Sequence, residues 1–244
     1  MSAGGNMDAM FSGVIGQEYD MLKLICPLAA EMSRLVGDEV ACYCRDNPNA
    51  RTVLELGGGT GITTLSILLA SDQVSISSVD NEPTMQNQAR QSLQDWLNSG
   101  WVDFCGDDAL TALQALDDDS VDIVASAYTL HNFEQEYRKQ VVEEIFRVLK
   151  PGGRFINGDR YALDDAVQHT LITQKEVAGY FEVLTEMDRL DLLQQWVLHV
   201  INDESEARIM RESAELIQLT DTGFQHVQLK SRLEVNALVT ADKC

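Results

Sequence analysis

Hydrophobic positions along this chain switch repeatedly between two periods. From Phe11, the apolar residues Ile15, Tyr19, Leu22, Ile25 and Leu28 recur every three or four positions, with Pro27 interrupting. Leu28, Met32, Leu35 and Val36 continue the spacing and predict a helix from about Leu28 to Cys44. After the turn residues Asn47, Pro48 and Asn49 the pattern shortens: 52–56 is a brief apolar run interrupted by Glu55, which reads as a buried strand. Ile62, Leu65, Leu68 and Leu69 return to helical spacing, and Val74, Ile76 and Ser78 alternate with Ser75, Ser77 and Val79 as a second strand ending at Asp80. Pro83 suits a first helical turn, Met85, Ala89, Leu93, Trp96 and Leu97 form one buried stripe, and Gly100 ends it. Strands are predicted at 102–105, 121–127 and 154–157, with a helix carrying Tyr137, Val141, Ile145, Val148 and Leu149 before the last of them. Strand and helix in alternation predict an α/β fold around a mostly parallel sheet.

Beyond 158 the rhythm changes. Residues 164–202 are helical throughout, too long for a simple crossover, and Glu204 to Leu219 predicts a last helix. A hairpin follows, His226 to Arg232 and Val235 to Thr240. The expected organisation is an N-terminal helical cap over 1–50 and an α/β domain over 51–244. A helical lid or dimerising insert falls at about 160–202, making a homodimer one reading of that segment.

Composition narrows the partners. A net charge of -21 argues against nucleic acid, which needs a basic surface, and against anionic membranes. Five cysteines without a C-x-x-C pair suggest reduced thiols in a cytoplasmic protein and no zinc-type spacing, so no metal is expected. The first six residues lack a basic lead into an apolar run, so no signal peptide is expected, and no apolar run is long enough to span a bilayer.

The chemistry concentrates at 52–61. Gly57, Gly58, Gly59 and Gly61 separate the first strand from its helix, so the backbone can turn sharply where a ligand approaches. Neither G-x-G-x-x-G frame is satisfied, because Ile62 or Thr64 falls at the last glycine. The pattern that fits is acid-x-G-x-G-x-G, from Glu55, Gly57, Gly59 and Gly61. With the turn Lys150, Pro151, Gly152, Gly153 and the order of segments from 52 to 157, the chain resembles the class I S-adenosylmethionine (SAM) methyltransferases. The resemblance implies a Rossmann-like seven-stranded mixed sheet, mostly parallel with the last strand antiparallel. It implies SAM as cofactor, with S-adenosylhomocysteine as product.

On the resemblance, Glu55 and the four glycines hold the methionine end, and Asp80, with Asn81 beside it, receives the ribose hydroxyls. Asp107 or Asp108 accepts from the adenine amino group, Ala127 lies under the methionine, and Tyr19 is an aromatic near SAM. Each has a plainer alternative. Asp108 can cap a helix, Asn81 can cap the one before it, and Tyr19 can be a packing residue. Near the acceptor stand Tyr128, His131, Asp159, Arg160 and Tyr161. His131 can serve as a base or hold its loop, and Arg160 can pair with an acceptor anion or with neighbouring acids. No N-P-P-Y-type tetrapeptide marks methylation of nucleic-acid bases. The leading expectation is methyl transfer to a small-molecule acceptor. The chain is also similar to carboxy-SAM synthases, which convert SAM with prephenate. That group keeps an arginine five residues before the glycine of the G-F turn, where this chain has Gln218. The third reading is a SAM-binding sensor or subunit without chemistry.

Overall fold

The computed structural model describes residues 27–71 and 74–244. Tyr19 and most of the segment expected as an N-terminal cap lie outside the described residues.

The described residues open with helix α1 (Pro27–Asp46). Strand β1 (Thr52–Leu56), helix α2 (Ile62–Ala70) and strand β2 (Ser75–Val79) follow. Next come α3 (Pro83–Ser92), α4 (Gln94–Asn98), β3 (Val102–Cys105), α5 (Ala109–Gln114) and β4 (Val121–Ala127). A 3-10 turn (Leu130–Asn132) leads to α6 (Gln135–Val148) and β5 (Leu149–Arg160). Helices α7 (Ala166–Glu186), α8 (Leu190–Asp203) and α9 (Glu212–Thr222) precede the hairpin of β6 (Gln225–Leu233) and β7 (Asn236–Asp242).

The seven strands form one sheet in the order β3-β2-β1-β4-β5-β7-β6. Strands β1 to β5 pair in parallel, and β7 runs antiparallel to both of its neighbours. The strand order reverses between β1 and β4, the place where open α/β sheets bind ligands beyond their carboxyl ends. Register levels those ends: Leu56 lies opposite Val79 and Ser126, Val79 opposite Cys105, and Ala127 opposite Gly158.

Strand alternation divides the core between the two faces. Leu54, Val124, Phe155 and Val239 pack with Leu113, Val141, Ile145 and Leu219 of α5, α6 and α9. Val53, Ile123, Ala125 and Ile156 pack with Val36, Val40, Ile67 and Leu93 of α1, α2 and the α3–α4 junction. Helices α7 and α8 have a small core of their own, built from Tyr180, Leu184, Leu192, Leu193, Trp196 and Val200. Among the described residues no helix is long and apolar enough to cross a membrane.

Three expected boundaries differ. The helix after Pro83 breaks at Leu93, whose φ and ψ of -109° and 21° divide α3 from α4, so Trp96 and Leu97 are only partly buried. Strand β5 begins at Leu149 rather than Arg154, because Leu149 pairs with Val121 before a bulge. The last helix begins at Glu212 rather than Glu204, because the preceding backbone bonds to the chain after β5: Ala162 N–H donates to Met210 O and Glu212 N–H to Ala162 O.

Arg138 on α6 ties several of these pieces together. It is almost wholly buried and donates to Phe133 O, Arg208 O and the Glu215 carboxylate on α9. Removing one partner of a buried pair leaves an uncompensated charge, which typically costs about 3–5 kcal/mol. Arg138→Met is therefore expected to lower unfolding stability by about that much in chemical denaturation. A loss under about 1 kcal/mol, the scale of an exposed pair, would show that the arginine is not the tie described.

Candidate functional site

The glycine loop is strapped to the end of β2. Gly57 and Gly58 both donate to Val79 O, at 2.8 and 3.1 Å, and Gly59 donates to Asp80 Oδ2 at 2.8 Å. Gly57 has φ of 70°, and a Cβ there would stand 1.9 Å from Thr129 Oγ1. A Cβ on Gly58 would stand 2.0 Å from Ser78 Oγ. For these two glycines the close neighbour is the protein itself. At Gly59 a Cβ would meet only the mobile end of Met85, at 3.2 Å, so that face of the loop admits a ligand backbone-close.

Glu55 lies beneath the loop and has no exposure. Its Oε2 accepts from Thr64 Oγ1 at 2.5 Å, while among the described residues its Oε1 has no hydrogen-bond partner. Burial, only partly offset by hydrogen bonds from Thr64 and Ser78, pushes its pKa up to about 7. Asp80, at the end of β2, accepts from Gly59 N–H and, through Oδ1, from Glu82 N–H at 2.8 Å. The cap of α3 is neither Asp80 nor Asn81 but Glu82, which accepts from Met85 N–H. Asn81 is exposed beside Asp80.

Asp107 is exposed after β3 and accepts from the Cys105 thiol at 3.5 Å. Asp108 carries the capping role, its plainer alternative. It caps α5 through Leu110 and Thr111 N–H groups and accepts from Thr111 Oγ1 and Tyr137 Oη. Those donors outweigh burial and hold its carboxyl below the usual range. The carboxyl ends of β1, β2 and β3 thus present a glycine loop, Asp80 and Asp107 in a row. This set fits a ligand carrying an amine, a ribose and an adenine amino group.

On the other side of the switch point, Ala127 is buried at the end of β4 and accepts from Thr129 Oγ1. Tyr128 follows with φ of 52° and donates its hydroxyl to Asn236 Oδ1 at 2.7 Å. His131 is buried with Nδ1 2.6 Å from Asp159 Oδ1. Its Nε2 faces the helical insert, 3.9 Å from Asp203 Oδ2. Burial would lower the imidazole pKa, but Asp159 and Asp203 outweigh it and raise it. Tyr161 is buried with its hydroxyl accepting from Asn157 Nδ2, so it belongs to the core.

Of the two readings of Arg160, an acceptor anion or neighbouring acids, the contacts in the structure fit the second: it is held by Glu176 at 2.7 and 3.0 Å and reaches Glu204 at 3.4 Å. A buried guanidinium needs its countercharge from the protein, and two insert helices supply it. Sequence reasoning missed those acids, together with His169, His199 and Asp203. The available signal was polar residues recurring four apart on otherwise apolar helices, His199 and Asp203 above all.

This arrangement defines a SAM-binding α/β fold of the open, doubly wound kind. The protein family described as a methyltransferase domain matches residues 53–153. A carboxy-S-adenosyl-L-methionine synthase from Actinobacillus succinogenes is 27% identical over 184 residues, covering 72% of this chain and 70% of that protein. One from Shewanella denitrificans is 26% identical over 226 residues, covering 88% and 84%. The solved O-methyltransferase family protein from Burkholderia thailandensis superposes with a TM-score of 0.64 at 20% identity over 91% of this chain. This chain spans 57% of that protein's length. Residues 53–153 thus match a methyltransferase domain, the chain is similar to SAM-converting enzymes, and SAM is the cofactor that this likeness implies.

The raised pKa of Glu55 has a sign that can be tested. Its folded value of about 7 lies above the ordinary 4.5, so it costs nothing at pH below the ordinary value. The cost grows as pH rises and is complete above about 7, reaching roughly 3 kcal/mol. Glu55→Gln removes this titration. Without SAM, the melting temperature of the variant should fall less between pH 5 and pH 8 than that of the wild type, and parallel profiles would refute the assignment.

Proposed function

We propose that this protein transfers the methyl group of SAM to a neutral or cationic small molecule. The acceptor sits where the helical insert meets the carboxyl edge of the sheet. The supporting observation is the fate of the cations there. Arg160 is neutralised by Glu176 and Glu204, Arg208 holds Asn132 O, Asn202 and Glu134, and Arg211 holds Leu163 O. An anionic group at this edge would want a charge-assisted partner, and these three arginines are already engaged. The two-helix insert, docked on β5 through Arg160, suits a small acceptor better than a polymer.

Methyl transfer is an in-line displacement at a sulfonium. SAM supplies the electrophilic methyl group, and the chain aligns the acceptor and excludes water. Asp80 and the glycine loop orient the cofactor. Asp159 orients His131 at this edge. Tyr128, fixed by Asn236, shapes the same edge.

A second reading rests on the curated relatives, which are carboxy-SAM synthases over as much as 88% of this chain. At the position of the arginine expected to hold the new carboxylate stands Gln218, whose buried amide nitrogen has no hydrogen-bond partner among the described residues. That amide can donate a hydrogen bond but cannot supply the charge.

Mass spectrometry of the products separates these readings. With SAM and a panel of amine, phenol and thiol acceptors, S-adenosylhomocysteine is expected. With SAM and prephenate, no carboxy-SAM is expected, and its formation would overturn the proposal in favour of the second reading. Failure to turn over either mixture despite SAM binding would favour a sensor. By calorimetry, Asp80→Ala is expected to weaken SAM binding at least about tenfold, since hydrogen bonds to a charged group contribute about 1.5–3 kcal/mol.

A further inference from the structure

We infer that His131, His199 and Asp203 form a binding site for one divalent transition-metal ion, joining the helical insert to the sheet. His131 comes from the 3-10 turn after β4. His199 and Asp203 come from α8, four residues apart and so on one helix face. All three side chains are buried, and one ligand atom from each lies within 4.8 Å of the other two. Asp203 Oδ2 is 3.4 Å from His199 Nε2 and 3.9 Å from His131 Nε2. Ligands around tetrahedral zinc, with bonds of about 2.0–2.2 Å, stand roughly 3.3–3.5 Å apart, so Asp203 already lies at that spacing from His199 and near it from His131, and side-chain rotation of the two imidazoles, whose ligand atoms lie within 4.8 Å, would close the set.

Three further observations point to a cation. Asp203 is 5% exposed, and among the described residues its Oδ1 has no hydrogen-bond partner. A buried carboxylate with an unused oxygen is costly unless something positive meets it. Second, His131 already has the support a metal-bound histidine needs. Its Nδ1 is fixed by Asp159 at 2.6 Å, which directs the Nε2 lone pair toward the cluster. Third, among the described residues the surrounding network holds four carboxylates, the buried Asp159 and Asp203 and the partly buried Glu176 and Glu204, against the one guanidinium of Arg160. A divalent ion would offset most of that excess.

The donor set selects the metal class. Two imidazole nitrogens and one carboxylate oxygen suit zinc or ferrous iron, whereas calcium and magnesium prefer oxygen ligands. Three protein ligands leave the remaining coordination to water or to a donor atom of an acceptor. The site does not depend on which acceptor the enzyme uses. Its structural consequence is direct: the ion would clamp α8 to the turn after β4.

The test uses the full chain stripped with a chelator and titrated with zinc chloride by calorimetry, then with cobalt(II) chloride by visible absorption. One equivalent of zinc is expected, with cobalt(II) d–d bands of low coordination number. Paramagnetically shifted imidazole N–H signals should come from two histidines. Asp203→Asn and His199→Ala should weaken zinc binding at least about a hundredfold, and Asp159→Asn about ten- to a hundredfold. His226→Ala should bind as the wild type does, because His226 is exposed on the hairpin. Retained SAM binding certifies that a variant is folded. No metal uptake by the stripped wild type would overturn the site, leaving an ion-pair network only. Undiminished zinc affinity in a SAM-binding Asp203→Asn variant would do the same. Should the variants fail to fold, a wild-type cobalt complex lacking shifted imidazole signals would overturn it.

Discussion

Asp159 stands at the carboxyl end of β5 with no exposure to water, and its charge is met by four hydrogen-bond donors. Oδ2 accepts from Leu130 N–H at 2.9 Å and Thr129 N–H at 3.3 Å, while Oδ1 accepts from Arg160 N–H and pairs with His131 Nδ1. These contacts set the path of the chain after β4. Once Thr129 is held, its hydroxyl donates to Leu56 O at 3.1 Å and lies against Gly57. Once His131 is held, its other nitrogen meets α8. One carboxylate therefore couples the cofactor loop on one side of the switch point to the helical insert on the other. A displacement of Asp159 would be felt at both.

The insert is held to the sheet by charge more than by apolar surface. Its own core is small and internal, built between α7 and α8. The link to β5 runs through Arg160, Glu176 and Glu204, with His169 Nε2–H donating to Glu204 at 2.6 Å and Tyr180 donating to Glu176 at 2.6 Å. Charged pairs of this kind cost much to desolvate and gain their value from fixed geometry. They set the position of the insert closely without the broad apolar burial that would make it inseparable from the domain.

The sheet was legible because its signals are redundant. β1, β2 and β3 each combine a short apolar period with a turn residue at the carboxyl end, and Gly57 to Gly61 mark the first crossover. The boundaries that failed depend on tertiary partners. No propensity foretells that Ala162 will bond to Met210 and Glu212 and delay the last helix. The glycine loop was legible as a turn, but the reason for two of its glycines was not: Thr129 and Ser78 crowd Gly57 and Gly58 from distant strands. Arg160 was visible as a charge at the right edge. Its neutralisation by residues 16 and 44 positions later belongs to the fold alone.

Two acids show most sharply what the sequence withholds. Glu55 and Asp159 each close the pattern of a central strand, and both are wholly buried. Burial alone would raise both pKa values. Glu55 has the hydroxyls of Thr64 and Ser78 as donors, and its pKa rises to about 7. Asp159 has a histidine and backbone N–H groups as donors, and its pKa falls below the ordinary carboxylate range. The difference lies in the number and charge of donors that the fold brings to each oxygen. A carboxyl near neutrality can change its proton state when a cationic cofactor arrives beside it. One held ionised serves instead as a fixed anchor for the loop and its histidine. Identical side-chain chemistry at equal depth thus supports two different tasks on the two sides of one switch point.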